Sequence, residues 1–227
     1  MSFNHSSSSS PSNSTAQAIK EIWRIKTINA KSVMELRAIH QSGSILSKLF
    51  KGSNYSSVDD LKLDFEKEAL RLNAAGYNIY YVMNPIHPTF SSGSATDDAI
   101  ECRHLLLIDI DRSESKKEPS TDQELEAARL LSDDIANYLK SEDWDDPTRM
   151  MSGNGYHLYY TLNMPNNQKT KRLIESALHE LARHFDNKMV KVDTVVFNAS
   201  RITKVPGTIA RKGSSTAERP YRMAVVL

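Results

Sequence analysis

The chain has 227 residues, with 29 Lys and Arg against 28 Asp and Glu and a formal net charge of +1. It is long enough to bury a substantial core in one domain, and its charge excludes a polycation that coats nucleic acid in bulk. A single cysteine, Cys102, excludes an internal disulfide and a zinc site built from several thiolates. No apolar run reaches the ~18 residues of a membrane-spanning helix, and the N-terminus lacks an apolar signal core, so a cytoplasmic protein is expected.

Residues 1–16 form a polar leader containing five consecutive serines, Ser6 to Ser10, too poor in apolar surface to order itself; a flexible tail is expected there, followed by one domain over 17–227. Residues 21–28 read as a helix running into a strand. Ser32 is placed to cap a helix over 33–40, with Glu35 positioned for a capping box. Residues 58–75 carry a helical stripe of Leu61, Phe65, Ala69 and Leu72, stopped by Gly76. A strand is expected over 78–83, ending at the turn signal Asn84-Pro85, and a loop over 87–95. Residues 103–110 are apolar almost throughout, as a strand buried on both faces would be. An amphipathic helix over 124–139, strands at 149–152 and 158–162 around a glycine turn, a helix over 170–185, and strands at 191–197 and 221–227 complete the chain. Strands alternating with helices predict a mixed α/β sheet.

The near-zero charge is a cancellation. Between Asp109 and Asp146 lie 13 acidic and 5 basic residues; between Ala199 and Arg222 lie six basic residues and one acid. Such a split suits either a site where carboxylates hold cations and basic groups hold phosphates, or a solvated acidic helix beside a basic hairpin.

Three segments can carry chemistry. Asp109-Ile110-Asp111 closes the most apolar strand, and residues two apart in a strand share a face, so both carboxylates crowd together unless a cation neutralises them. Hard divalent ions such as Mg²⁺ or Mn²⁺ favour that oxygen-rich setting; two exposed, solvated acids are the plainer reading. Ser152-Gly153-Asn154-Gly155-Tyr156-His157 can bring backbone N–H groups, Ser152, Asn154 and His157 to phosphate oxygens, or can be a plain Asn-Gly hairpin. Asp193 is followed at +8 and +11 by Arg201 and Lys204, then by Pro206-Gly207-Thr208 and Arg211-Lys212-Gly213, an order suited to a third carboxylate beside cations that face a triphosphate or a nucleic-acid backbone.

In order and spacing, Leu107-Ile108-Asp109-Ile110-Asp111, Ser152 to His157 and Val192-Asp193 resemble the three motifs of the archaeo-eukaryotic primase superfamily, in its primase-polymerase clade of plasmid, phage and mobile-element replication proteins. The resemblance extends over about residues 30–227 and includes the segments 78–85, 198–208 and 211–222. It implies an α/β fold with an RRM-like antiparallel or mixed sheet, flanking helices and an N-terminal α/β half. It also implies template-directed nucleotidyl transfer, as a DNA primase or polymerase, with two divalent cations on Asp109, Asp111 and Asp193. His157 would be catalytic and, with Ser152, Asn154, Arg201 and Lys204, would bind the incoming nucleotide. Lys212, Arg219 and Arg222 are weaker candidates for phosphate or template contacts. Partners would be single-stranded DNA template, primer and a (deoxy)nucleoside triphosphate, with a helicase domain or protein as a further partner. A departure is the zinc stem of some relatives, which one cysteine cannot build; another is that relatives continue past the last strand, so a catalytic domain excised from a longer replication protein is expected. A non-catalytic single-strand-binding module and a metal-dependent nuclease are the rival readings.

Overall fold

The computed structural model describes residues 11–114 and 117–227, so the serine run of the leader lies outside the described residues. In chain order the helices are α1 (Pro11–Ala18), α2 (Ile22–Ile25), α3 (Val58–Ala74), α4 (Asp122–Ser141) and α5 (Gln168–Phe185). The strands are β1 (Val33–Ile39), β2 (Ile45–Lys51), β3 (Asn78–Val82), β4 (Cys102–Arg112), β5 (Thr148–Met151), β6 (Tyr156–Pro165), β7 (Val190–Val192), β8 (Ile202–Lys204), β9 (Ile209–Ala210), β10 (Arg222–Met223) and β11 (Val225–Val226). They build two antiparallel sheets, ordered β2-β1-β3-β8 and β11-β5-β6-β4-β7, and a short ribbon of β9 and β10. The fold is thus α+β with antiparallel sheets and flanking helices, the antiparallel of the two sheet types expected. Among the described residues no helix is long and apolar enough to cross a membrane.

The long helices begin where side chains can satisfy their first N–H groups. Ser57 accepts from the Asp60 N–H at 3.1 Å, and Asp59 and Asp60 sit in the positive first turn of α3. Thr121 and Glu124 form a full capping box on α4, and Asn167 caps α5. The predicted stripe Leu61, Phe65, Ala69 and Leu72 is buried, and α3 packs on β1, β2 and β3. Full burial of Phe65 alone contributes about 2–3 kcal/mol. At the far end Gly76 takes φ +95°, the left-handed conformation that stops a helix cheaply only at glycine. On the second sheet α4 packs on β4, β6 and β7, and α5 packs on β7 and α4.

Four local expectations are corrected. Pro11–Ala18 is helical, where a tail to residue 16 was expected. Over the expected helix 33–40, residues Val33–Ile39 form strand β1, because β1 pairs with β2 on one side and β3 on the other, and tertiary pairing overrides the capping signal. Ser32 Oγ accepts instead from the Asn29 N–H at 2.9 Å, and Glu35 is fully buried, accepting from Arg37 Nε at 2.8 Å, Ser47 Oγ at 3.0 Å and the Ala95 N–H at 2.7 Å. The strand expected near residue 28 is absent; past α2 the chain is irregular, and buried Lys26 donates to the carbonyls of Met83 (3.0 Å) and Asn84 (2.9 Å). Finally β7 stops at Val192, because the next residue turns the chain: Asp193 Oδ1 accepts from the Val195 N–H at 3.1 Å.

Candidate active site

Strand β4 runs between β6 and β7. Its odd-numbered residues Leu107, Asp109 and Asp111 share a face and line a cavity of about 380 Å³, while Ile108 and Ile110 point the other way and are fully buried. The first sheet supplies the facing wall through Asn78 and Tyr80 of β3 and Thr203 and Lys204 of β8. The β5–β6 turn contributes Ser152 and Asn154, β6 contributes His157, and Arg201, Arg211 and Lys212 add three further cations. Two carboxylates therefore look across one cavity at four basic side chains that are about 90 or more residues distant in sequence.

Asp109 and His157 are register partners across β4 and β6, and His157 Nε2 lies 3.4 Å from Asp109 Oδ1. The other ring nitrogen is fixed from behind: His157 Nδ1 is 2.9 Å from Tyr159 Oη and 3.3 Å from Thr203 Oγ1, and those two hydroxyls are 2.5 Å apart. Burial pushes the Tyr159 phenol well above its usual range, so it stays neutral and orients the imidazole. Tyr80 is held neutral as well, pushed up to about 12 by burial and by the Asp109 and Asp111 carboxylates.

On the cationic wall, desolvation and then repulsion from Arg211 bring the Lys204 amine down to about 7. Its Nζ is 3.3 Å from the Ile209 carbonyl and 3.4 Å from Asn78 Oδ1, and it stands 5.3 Å from the centre of the Tyr80 ring. Asn78 also clamps the backbone of Arg211, accepting from its N–H at 2.7 Å and donating to its carbonyl at 2.6 Å. Arg201 Nη2 donates to the Val195 carbonyl at 2.5 Å. Arg201 Nε and Arg211 Nη1 are buried donors with no hydrogen-bond partner among the described residues. Buried donors left unpaired cost stability, and both arginines line the cavity.

The turn that carries the second motif is held tightly. Ser152 Oγ exchanges hydrogen bonds with the Gly155 carbonyl and N–H, each at 3.2 Å. Asn154 accepts from Ser120, through Oδ1 from its N–H at 3.0 Å and through the carbonyl from its Oγ at 2.5 Å. Ser152 and Asn154 thus lie on the cavity wall while Ser152 bonds to Gly155 and Asn154 to Ser120. Arg219 and Arg222 are not brought to the cavity. Arg219 donates to Glu124 at 2.8 and 3.1 Å and to the Pro119 carbonyl at 2.8 Å, and Arg222 donates to the Ser120 carbonyl at 2.7 Å and to Asp122 at 2.6 Å. Although burial opposes it, Arg219, the Thr121 N–H and Arg112 hold the Glu124 carboxyl down to about 2. These arginines secure residues 118–124, whose Ser120 in turn holds the Asn154 turn. The phosphate or template contact expected of them lies away from this cavity, where their bonds hold the 118–124 segment.

The donor chemistry suits a hard divalent cation: two strand carboxylates share one face of a cavity whose far wall is cationic. Asp193 is anchored beside them, its N–H donating to the Asp109 carbonyl at 2.8 Å, but it does not line the cavity. Among the described residues no three His, Cys, Asp or Glu side chains are grouped to hold a metal. That suits an ion held by one or two carboxylates plus substrate phosphates better than a complete protein cage.

Sequence reading missed Asn78, Tyr80, Tyr159 and Thr203, and named Arg211 only as part of the basic stretch after Asp193. Tyr159 was open to detection, since it stands two residues after His157 on the same strand face. Thr203 and Tyr80 come from the other sheet, and no local pattern announces them.

No family model matches the chain, and no curated protein sequence matches it significantly. Among solved structures, the polymerase domain of Mycobacterium tuberculosis ligase D, in complex with DNA, is similar with a TM-score of 0.49 and 13% sequence identity, over 92% of this chain and 80% of that one.

Proposed function

We propose that the cavity between the two sheets is a nucleotidyl-transfer site of the primase-polymerase kind, adding nucleotides to a primer or first nucleotide on a single-stranded DNA template. The observation that carries this reading is the convergence of three sequence-distant segments on one cavity, with the Asp109–Asp111 pair facing Arg201, Lys204, Arg211 and Lys212. A triphosphate brings both an anion for the unpaired arginine donors and the phosphate oxygens that complete a cation's coordination. Asp109 and Asp111 would hold Mg²⁺ or Mn²⁺, with Asp193 as the adjoining carboxylate. When bound, such ions neutralise phosphate charge and lower the pKa of an attacking hydroxyl.

The chain's own residues orient and neutralise. Arg201, Arg211 and Lys212 offset triphosphate charge. Lys204 enters as a largely neutral amine near pH 8 and takes up a proton when phosphate approaches, because an adjacent anion favours its charged form. His157, fixed at Nδ1 by Tyr159 and Thr203, presents Nε2 toward Asp109 and a phosphate oxygen. Tyr80 remains a neutral hydroxyl able to donate to the bound nucleotide.

The test incubates the protein with single-stranded templates, with and without primer, with each class of nucleoside triphosphate and with Mg²⁺ or Mn²⁺. Incorporation is expected, and Asp109→Ala or Asp111→Ala abolishes it while the circular dichroism melt stays cooperative. Normal primer extension by either variant refutes the carboxylate assignment. Degradation of the template without added nucleotides would instead assign the site to a nuclease, and binding without incorporation would leave only a nucleic-acid-binding module.

A further inference from the structure

A second cavity, of about 320 Å³, opens beyond the C-terminal end of α4, lined by the 142–146 turn, Thr148 of β5 and Tyr159 to Thr161 of β6. His157 and Tyr160 are three apart in β6 and so point to opposite faces; the first lines the nucleotide cavity and the second lines this one. Its rim carries Glu142, Asp143, Asp145 and Asp146, and among the described residues only Asp146 has a cationic partner, Lys140 at 3.0 Å. Trp144 stands between these acids, 38% exposed, with its ring edge-on to Tyr160 at 5.4 Å and 88°. Tyr160 is 2% exposed, yet its hydroxyl has no hydrogen-bond partner among the described residues. A buried hydroxyl without a partner is unfavourable, and the like charges around Trp144 repel one another.

We propose that this acidic-aromatic cavity is a docking site for an arginine carried by a basic segment of a partner protein. Charge complementarity selects a cationic ligand and rejects a nucleic-acid backbone. A guanidinium fits where a compact ion does not: it is planar, weakly hydrated, stacks on an indole and can bridge a carboxylate and a phenol oxygen at once. The two cavities share no lining residue, so both can be occupied together.

The test is calorimetric titration of the whole chain with acetyl-tetra-arginine amide, and with the same peptide bearing citrulline in place of arginine, at low and at physiological salt. The arginine peptide is expected to bind, more weakly at physiological salt, and the citrulline peptide about tenfold less tightly. The double variant Asp143→Asn with Asp145→Asn is expected to lose about tenfold in affinity, and Trp144→Ala about two- to fivefold. Tyr160→Phe is expected to weaken binding without lowering the melting temperature, since it removes a hydroxyl that lacks a partner. Absence of binding, equal binding of the citrulline peptide, full affinity in Tyr160→Phe or in the double variant, or displacement of the peptide by micromolar Ca²⁺ would each overturn the proposal.

Discussion

Gly155→Ala tests how closely the second-motif turn rests on the carboxylate strand. A methyl built at Gly155 would stand 2.1 Å from the Ile110 carbonyl oxygen, 3.2 Å from its carbon and 2.8 Å from Asp111 Oδ1. Carbon and oxygen meet comfortably only from about 3.3 Å, so the turn must move about 1 Å away from β4. Ile110 cannot retreat, because it is paired with Tyr156 on one side and Val192 on the other. Overpacking of this kind costs about 1–3 kcal/mol, and with main chain as the obstacle the upper end applies. For a chain of this length about 3 kcal/mol lowers the melting temperature by about 6–12 °C. Gly43→Ala is the control. Its φ of +91° strains an alanine, but nothing lies within 4 Å, so the cost is about 1 kcal/mol and about 2–4 °C. The assay pairs thermal melts with nucleotide incorporation measured well below the midpoint. Because the same methyl displaces Asp111, incorporation by Gly155→Ala should fall further than its folded fraction. A melting temperature lowered no more than in Gly43→Ala, with full incorporation, would refute the close packing of turn on strand.

His157→Ala should raise KM for the nucleotide more than it lowers kcat; a reduced kcat at unchanged KM would move the imidazole into the chemical step. Lys204 has a folded-state pKa of about 7, below its unfolded value, so between pH 7 and about 10 the unfolded chain binds more protons and folding stability rises with pH. Denaturant melts at pH 7 and pH 9.5 should therefore show wild type gaining on Lys204→Met as pH rises, and a constant gap would refute the depressed pKa. Arg219→Ala should lower the melting temperature while leaving template affinity unchanged, because its partners are Glu124, Glu118 and Pro119. Weakened template binding at an unchanged melt would restore the role that sequence reading gave it.

How far the chain could be read in advance depended on the range of the forces involved. Helix α3 was legible almost to the residue because a stripe at helical spacing and a glycine stop are both local signals. Strand β4 was legible because burial on both faces leaves a run of apolar residues. Strand β1 was not, since its partners β2 and β3 are set by pairing, and the buried Glu35 that resembled a capping residue is satisfied by its strand neighbour Arg37 together with Ser47 of β2 and the Ala95 N–H. Short strands such as β8 and β9 hold too few residues to show a period.

The same division runs through the site. Sequence by itself determined that Asp109 and Asp111 share a face, that glycines flank a turn before His157, and that a basic stretch follows Asp193. Those are consequences of strand alternation and backbone freedom, which act over a few residues. Tertiary structure alone decided which basic residues face the carboxylates. It drew Arg211 to the cavity through Asn78, turned Arg219 and Arg222 to the Glu124 helix, and set Tyr159 and Thr203 behind the imidazole. Charge in a sequence is a sum, while interaction depends on separation across the fold, so only the packing of one sheet against the other could convert a near-zero total into two opposed walls.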